Sequence, residues 1–317
     1  MKEARIIKKS YLYRLGQIII TLLGVSFLAF LLTHLAPGNP ASAMFEAAGI
    51  IPTAEELEVA EKMMGLDKPF LEQYINWIGN VFTGDFGQSI SKKTDVLSLI
   101  VTRLEATLYL AGTAIGIMLL ISIPTGIYSA LKKDSFIDKF FSGLNFLGVA
   151  MPSFWLGIIL LYIFAIQLNL VPVMATGLGI DRIILPAITL AVPMAAKYSR
   201  QVRTIVLEEL TQDYVIGAEA RGLKSSEILF KHILPNTLLP LITMLGLSLG
   251  SLLGGTAVVE VIFFYPGLGS LVIDAVSARD YPLIQALVLW IAIAYMVINL
   301  IVDLSYSIID PRTKERR

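Results

Sequence analysis

The chain has 317 residues, 56% of them hydrophobic and only 16% charged, with a mean hydropathy of +0.73. A soluble domain carries about 25% charged residues, so one water-surrounded core is excluded and a multi-span membrane protein is indicated. The formal net charge is zero and there is no cysteine, which excludes disulfides, thiolate zinc sites, iron–sulfur clusters and thiol catalysis.

Residues 1–14 carry Lys2, Arg5, Lys8, Lys9 and Arg14 and read as a cytoplasmic N-terminus. The uncharged stretch that follows predicts a first span over 15–36. Its apolar part is longer than a secretory h-region of about 7–15 residues, so it reads as retained rather than cleaved at Ala41-Ser42-Ala43. Residues 37–105 read as an extracytoplasmic helical subdomain. Pro37-Gly38-Asn39-Pro40 breaks the first helix. Thr53 and Glu56 form a capping box, Gly65 stops that helix, and Pro69 opens the next one, Phe70 to about Phe82. The acidic excess of this segment reads as a solvated face.

A second span is expected over 106–131, with Pro124 kinking it or re-routing its hydrogen bonds. A charged loop with Lys132, Lys133, Asp134, Asp138 and Lys139 follows, then a third span over 145–166. The fourth, 183–203, is the weakest. Only 14 residues separate Arg182 from Lys197, against about 20 for a full span. It crosses if the basic side chains snorkel and the helix runs on. Residues 204–232 are polar. A fifth span over 233–259, an extracytoplasmic re-entrant hairpin over 260–280, a sixth span over 281–302 and a tail over 303–317 complete an all-α, six-helix polytopic bundle.

Lys and Arg number five in 1–14, three in 132–139, six in 197–231 and four in 312–317. The opposite segments hold five in 37–105, plus Arg182 and Arg279. The asymmetry puts both termini and the 204–232 segment in the cytoplasm.

No Gly-x-x-x-x-Gly-Lys-Ser/Thr phosphate loop occurs, so the chain is not its own P-loop ATPase. No Asp or Glu lies deep in an expected span, which weakens a proton-coupled carrier. No potassium-type filter sequence is present. Two histidines, His34 and His232, are too few and too far apart for a metal or catalytic centre. Met44, Met63 and Met64 without Cys or a nearby His do not make a metal site either. A bundle without an internal motor needs an external one, and residues 213–236, the charge-rich passage between two apolar segments, offer a docking place. The other reading of that stretch is an amphipathic helix on the lipid surface.

Ala218-x-Ala220-x-Gly222, with Leu234-Pro235 following, resembles the cytoplasmic signature of permease subunits of ATP-binding-cassette importers. Asp213-Tyr214-Val215, Arg221-Gly222-Leu223 and Leu234-Pro235-Asn236 narrow the resemblance to the dipeptide/oligopeptide/nickel family, B-type subunit. Supporting segments run along the whole chain: Ala36–Pro40, Gly65–Pro69, Gly84–Ser89, Met151–Trp155, Ile184–Ala187, Glu260 with Phe263 and Pro266–Gly269, Arg279–Pro282, and Asp310-Pro311-Arg312. The general signature opens with Glu-Ala-Ala where this chain has Ile216-Gly217-Ala218, so Glu219 is not assigned the missing glutamate's role.

The resemblance implies a type I importer permease fold in a bacterial or archaeal cell membrane. It implies a homologous second permease, two cytoplasmic ATPase subunits that bind the ATP and magnesium, and an external solute-binding protein. This chain would carry no cofactor and no catalytic residue, and would bind no nucleic acid. Tyr214, Val215, Ala218, Glu219, Ala220, Arg221, Gly222, Leu223, Lys224, Leu234 and Pro235 would form the coupling helix held by an ATPase. Tyr214, Val215 and Leu223 would be anchors, Ala218 and Ala220 would allow close approach, and Gly222 would bend the chain. His34, Met151, Pro152, Phe154, Glu260, Phe263, Pro266 and Gly267 are candidates for the pathway or its gate. His34 and Glu260 also read as ordinary interfacial residues. Peptides are the first reading of the cargo and nickel or a metal chelate the second. An autonomous carrier or channel is the competing class.

Overall fold

The computed structural model describes residues 2–177 and 179–309, and every regular element among them is helical. Among the described residues one isolated bridge, Gln88 with Asp95, pairs extended backbone. The helices are α1 (Lys2–Leu35), α2 (Pro40–Ala47), α3 (Ala54–Met63), α4 (Phe70–Phe82), α5 (Val96–Leu131), α6 (Phe136–Ala150), α7 (Ser153–Leu160), α8 (Ile180–Leu210), α9 (Asp213–Ala220), α10 (Ser225–Ile228), α11 (Leu234–Ile262), α12 (Leu268–Ser277) and α13 (Tyr281–Ile309). Two π-helical stretches, Leu161–Gln167 and Leu229–Ile233, extend α7 and α10. The chain divides into two compact units, Met1–Glu105 with Ser270–Val297, and Ala106–Gly269 with Ile298–Arg317.

In the first unit, α4 presents Phe70, Tyr74 and Trp77, spaced to share one helix face. They meet Phe27, Phe30 and His34 of α1. Phe27 stands edge-on to Tyr74 at 5.3 Å, and His34 lies 5.1 Å from Phe70. The Ser26 and Tyr74 hydroxyls are hydrogen-bonded at 2.9 Å. The capping box expected at Thr53 and Glu56 is present, with the carboxylate accepting from the Thr53 N–H at 2.8 Å. The positive φ of Gly65, +70°, lies just past α3, where that helix was expected to stop. Asp280 is fully buried and ties the 85–95 turn to the start of α13. It accepts from Ser89 Oγ (2.6 Å), Ser91 N (2.9 Å) and Ser91 Oγ (2.8 Å).

The second unit is built around α8. Fourteen of its residues are buried, and α6, α7 and α11 pack on it. Small residues let the axes approach, which is how helices associate where lipid removes the hydrophobic drive between them. A Cβ on Gly148 of α6 would lie 2.7 Å from Ala196 Cβ of α8. The Tyr198 hydroxyl of α8 meets the Met244 carbonyl and the Ser248 hydroxyl (2.6 Å) of α11.

The span expected over 145–166 is not one straight helix. α6 and α7 meet at 100° across Met151 and Pro152. Proline has no N–H to continue the ladder and pushes the residue before it out of the α region. Met151 is accordingly extended, with ψ 125°. Other ends also differ. α1 already begins at Lys2, α5 begins at Val96 rather than Ala106, and α13 runs on to Ile309. Pro124, Pro186 and Pro193 sit inside continuous helices. The terminal Asp310-Pro311-Arg312 lies outside the described residues.

Among the described residues, three helical segments can cross a membrane by length and composition: Gly16–Leu35, Val96–Leu131 and Tyr281–Val302. The number is five if each of two bent pairs counts as one span, α6 with α7 and its extension, and Ser225–Leu238 with Pro240–Gly246. The fourth expected span, 183–203, is not among them. It lies in α8, which carries Lys197, Arg200 and Arg203 and is screened by its neighbours, so its outer composition need not match lipid.

Candidate functional site

The polar passage that interrupts the apolar chain folds into a short helix, a turn and a second short helix. Thr211 and Gln212 end α8, and α9 starts at Asp213, whose carboxylate suits the helix N-terminus. Val215 and Ala218, three apart, share one face of α9 and are each 1% exposed. They join a cluster with Ala130 of α5, Val202, Ile205 and Val206 of α8, and Ile228, Leu229, Ile233 and Leu241 beyond the turn. Tyr214, Leu223 and Leu234 pack at its edge.

This placement changes the roles expected of two residues. Val215 and Ala218 are anchors into the chain's own bundle, so they hold α9 in place and are closed to a partner. The open face carries Ile216, which is 56% exposed, with Gly217, Glu219, Ala220, Arg221, Gly222 and Lys224. Phe230 and Pro235 are exposed as well. Ile216 and Phe230 were not among the residues expected from the sequence. The spacing of Val215 and Ala218 could have revealed Ile216 as their opposite on the helix.

Gly222 ends α9 in a Schellman motif. Its N–H donates to the Glu219 carbonyl at 2.8 Å and the Leu223 N–H donates to Ala218 at 3.3 Å. The motif needs a left-handed residue at this place, and Gly222 has φ +79°. Nothing lies within 4 Å of a Cβ built there, so backbone conformation rather than space selects glycine. Tyr214 ties three segments. Its hydroxyl donates to the Glu209 carboxylate of α8 and shares a side-chain hydrogen bond with Asn236 of α11. Burial, then the Glu209 carboxylate, pushes its phenol up from the ordinary value.

Above this cluster lies a buried ion pair that sequence reading missed. Asp138 of α6 accepts Arg203 Nε and Nη2, each at 2.7 Å, and also the Asp134 N–H (2.9 Å) and the Ser129 hydroxyl. The Arg203 guanidinium holds the Asp138 carboxyl well below the usual carboxylate range, with the Ser129 and Asp134 bonds acting in the same direction against desolvation. Asp138 and Arg203 are 65 residues apart, and no spacing rule links them.

Of the pathway candidates, Glu260, Phe263, Pro266 and Gly267 come together, with Glu260, Phe263 and Gly267 buried and Pro266 half-buried. Glu260 is 0% exposed and accepts Thr107 Oγ1 at 2.9 Å. Thr107 in turn accepts the Leu268 N–H at 2.7 Å. Tyr265 donates its N–H to the Glu260 carbonyl (2.7 Å) and its hydroxyl to the Ala106 carbonyl (3.0 Å). A Cβ on Gly267 would fall on the Glu260 carboxylate. These residues form a closed turn rather than an open lining. The Phe263 ring packs against Gly157 of α7, and its carbonyl accepts the Ala175 N–H at 2.8 Å. Met151, Pro152 and Phe154 lie at the α6–α7 bend, with Pro152 and Phe154 exposed. His34 belongs to the first unit. There it lines a cavity of 460 Å³ with Phe30, Thr33, Trp77, Tyr281 and Gln285 among its walls.

Residues 122–315 match the model of the binding-protein-dependent transport system inner membrane component, and residues 8–111 match the N-terminal model of the same membrane components. The chain is 42% identical over 301 residues to the oligopeptide transport system permease protein AppB of Bacillus subtilis, covering 92% of this chain and 94% of that one. It is 35% identical over 336 residues to the dipeptide transport system permease protein DppB of Escherichia coli K12, covering 96% and 98%. It is 36% identical over 298 residues to the glutathione transport system permease protein GsiC of Escherichia coli O1:K1, covering 94% and 96%. An inward-facing structure of the MetNI methionine ABC transporter shares the fold, with TM-score 0.58 and 16% identity over 67% of this chain and 96% of that one. The chain therefore belongs to the binding-protein-dependent transport system inner membrane components, the permeases of ATP-binding-cassette importers.

Proposed function

We propose that this chain is one half of a peptide-importing pathway, moved by ATPase subunits that grip α9 and the turn after it. The observation that carries this reading is the two-sided character of α9. One face is sunk into the cluster formed by α5, α8 and α11, and the other is open along Ile216, Gly217, Glu219 and Ala220. A short helix held this way passes a push from a soluble partner to the packed helices above it. Tyr214, bonded to Glu209 and Asn236, stops it from sliding.

In this reading both termini and α9 face the cytoplasm, as the Lys and Arg asymmetry favours. A homologous permease completes the pathway. ATP and magnesium are bound and hydrolysed by two ATPase subunits, and an external solute-binding protein delivers the cargo. Peptides are the cargo because the relatives are named for oligopeptide, dipeptide and glutathione transport.

The test is reconstitution in liposomes with the second permease, the ATPases and the binding protein. Labelled dipeptide and ⁶³Ni²⁺ are offered side by side. The reading predicts dipeptide uptake that requires ATP and every subunit. Uptake by this chain alone without ATP would identify a carrier instead, and nickel uptake without dipeptide uptake would reassign the cargo.

A further inference from the structure

Between α6 and α8 lies a cavity of 420 Å³ lined by Ser142, Phe146, Arg200, Arg203 and Thr204. Helical spacing accounts for the lining. Ser142 and Phe146 are one turn apart on α6, and Arg200 stands three and four residues before Arg203 and Thr204 on α8. Lys139, three before Ser142, shares that α6 face.

The charges of this pocket are unevenly used. Arg203 is committed through Nε and Nη2 to Asp138, which fixes its guanidinium at the pocket wall and leaves further N–H groups. Among the described residues Arg200 has no carboxylate within ion-pair distance. Asp138 is consumed by Arg203, Ser129 and Asp134 N, so the pocket keeps a net positive charge. Ser142 supplies a hydroxyl, whereas the Thr204 hydroxyl proton is spent on the Arg200 carbonyl at 3.0 Å. Beside these polar groups Phe146 is 69% exposed, and Phe140 and Leu147 of α6 are also exposed. A fork of cationic donors bordered by bare apolar surface matches a molecule with a phosphate at one end and hydrocarbon at the other.

We propose that this pocket is a binding site for an anionic phospholipid. Its phosphate would sit between Arg200, Arg203 and Ser142, and its acyl chain would lie along Phe146 and Leu147. Arg200 is the principal charge, because Arg203 is already half neutralised. An anionic headgroup is preferred over a zwitterionic one, since Arg200 and Lys139 repel a choline cation. The site rests on the reading that this end of the bundle faces the cytoplasm, which places the pocket at the inner leaflet. Lipid held there would brace α6 against α8 beside the segment that leads into α9.

The test uses the full-length chain in an uncharged detergent, with bound lipid counted by native mass spectrometry. Phosphatidylglycerol, phosphatidylcholine and inorganic phosphate are the probes. We expect one phosphatidylglycerol to be retained in preference to phosphatidylcholine and not to be displaced by inorganic phosphate. Arg200→Gln lowers its affinity about tenfold, the loss of a charged hydrogen bond to phosphate. Ser142→Ala lowers it less, and Lys231→Gln, on a different segment and outside the pocket, leaves it unchanged. Thermal unfolding of each variant separates lost binding from lost fold. Equal retention of the two lipids, displacement by inorganic phosphate, or equal losses in Arg200→Gln and Lys231→Gln would overturn the site. Transport is not read, so failure here leaves the import reading intact, and failure of import leaves the lipid result standing.

Discussion

Arg203 of α8 grips Asp138 of α6 through two parallel hydrogen bonds of 2.7 Å, and the same carboxylate closes on Ser129 of α5 and on the backbone of the α5–α6 loop. Three helices thus share one buried charge just before α8 leads into α9. Removing Arg203 alone would strand a carboxylate that is 3% exposed.

Arg203→Met is expected to lower stability by about 3 kcal/mol, because an uncompensated buried charge is worse than no charge. Asp138→Asn with Arg203→Met should cost less than the sum of the single changes. Unfolding of the purified variants, followed by tryptophan fluorescence, measures both.

The same pair sets a pH dependence. The folded Asp138 carboxyl titrates below its unfolded value of about 3.9. Its contribution is therefore fully present above that value and is lost as pH falls through the lower folded value. Midpoint differences between the wild type and Asp138→Asn should stay constant from neutral pH down to about pH 5 and shrink only in stronger acid.

Gly222→Val forces a β-branched residue into the left-handed conformation, at a cost of about 1–2 kcal/mol. The effect is local to the end of α9. We expect normal membrane insertion, retained ATP hydrolysis in the assembled importer and several-fold lower uptake. The ratio of hydrolysis to uptake is the readout.

Gly267→Ala sets a methyl group on the Glu260 carboxylate. The variant should lose about 1–3 kcal/mol through overpacking. Glu260→Ala alone leaves Thr107 without its acceptor, and combining it with Gly267→Ala should recover part of the loss. A double-mutant cycle on thermal unfolding measures the coupling.

Much of the helical framework was legible because hydropathy and charge report local environment. The capping box at Thr53 and Glu56 and the turn at Gly222 depend on residues three or four apart, and both could be read directly. The bend at Met151-Pro152 was hidden because an apolar run looks the same straight or folded. α8 was difficult for the opposite reason. A helix surrounded by other helices can carry Lys197, Arg200 and Arg203 near its end without failing to pack. Which face of α9 is open was set by contacts with Val202, Val206 and Leu241, and long-range partners such as Asp138 and Arg203 leave no periodic trace. Glu260 read equally as a pathway residue and as an interfacial one, since a carboxylate beside an apolar turn fits either. Its burial against Thr107 and Gly267 is a tertiary fact.

Docking of an ATPase subunit on the open face of α9 is tested most directly by cross-linking. The chain has no cysteine, so one introduced thiol is unique. Ala220→Cys and Ala218→Cys are made separately in the assembled importer and treated with a short thiol-reactive cross-linker. We expect the thiol at Ala220 to link to the ATPase subunit and the thiol at Ala218, sunk against α8, not to. Cross-linking through Ala218 with none through Ala220, or none at either while the importer is assembled and active, would contradict that docking.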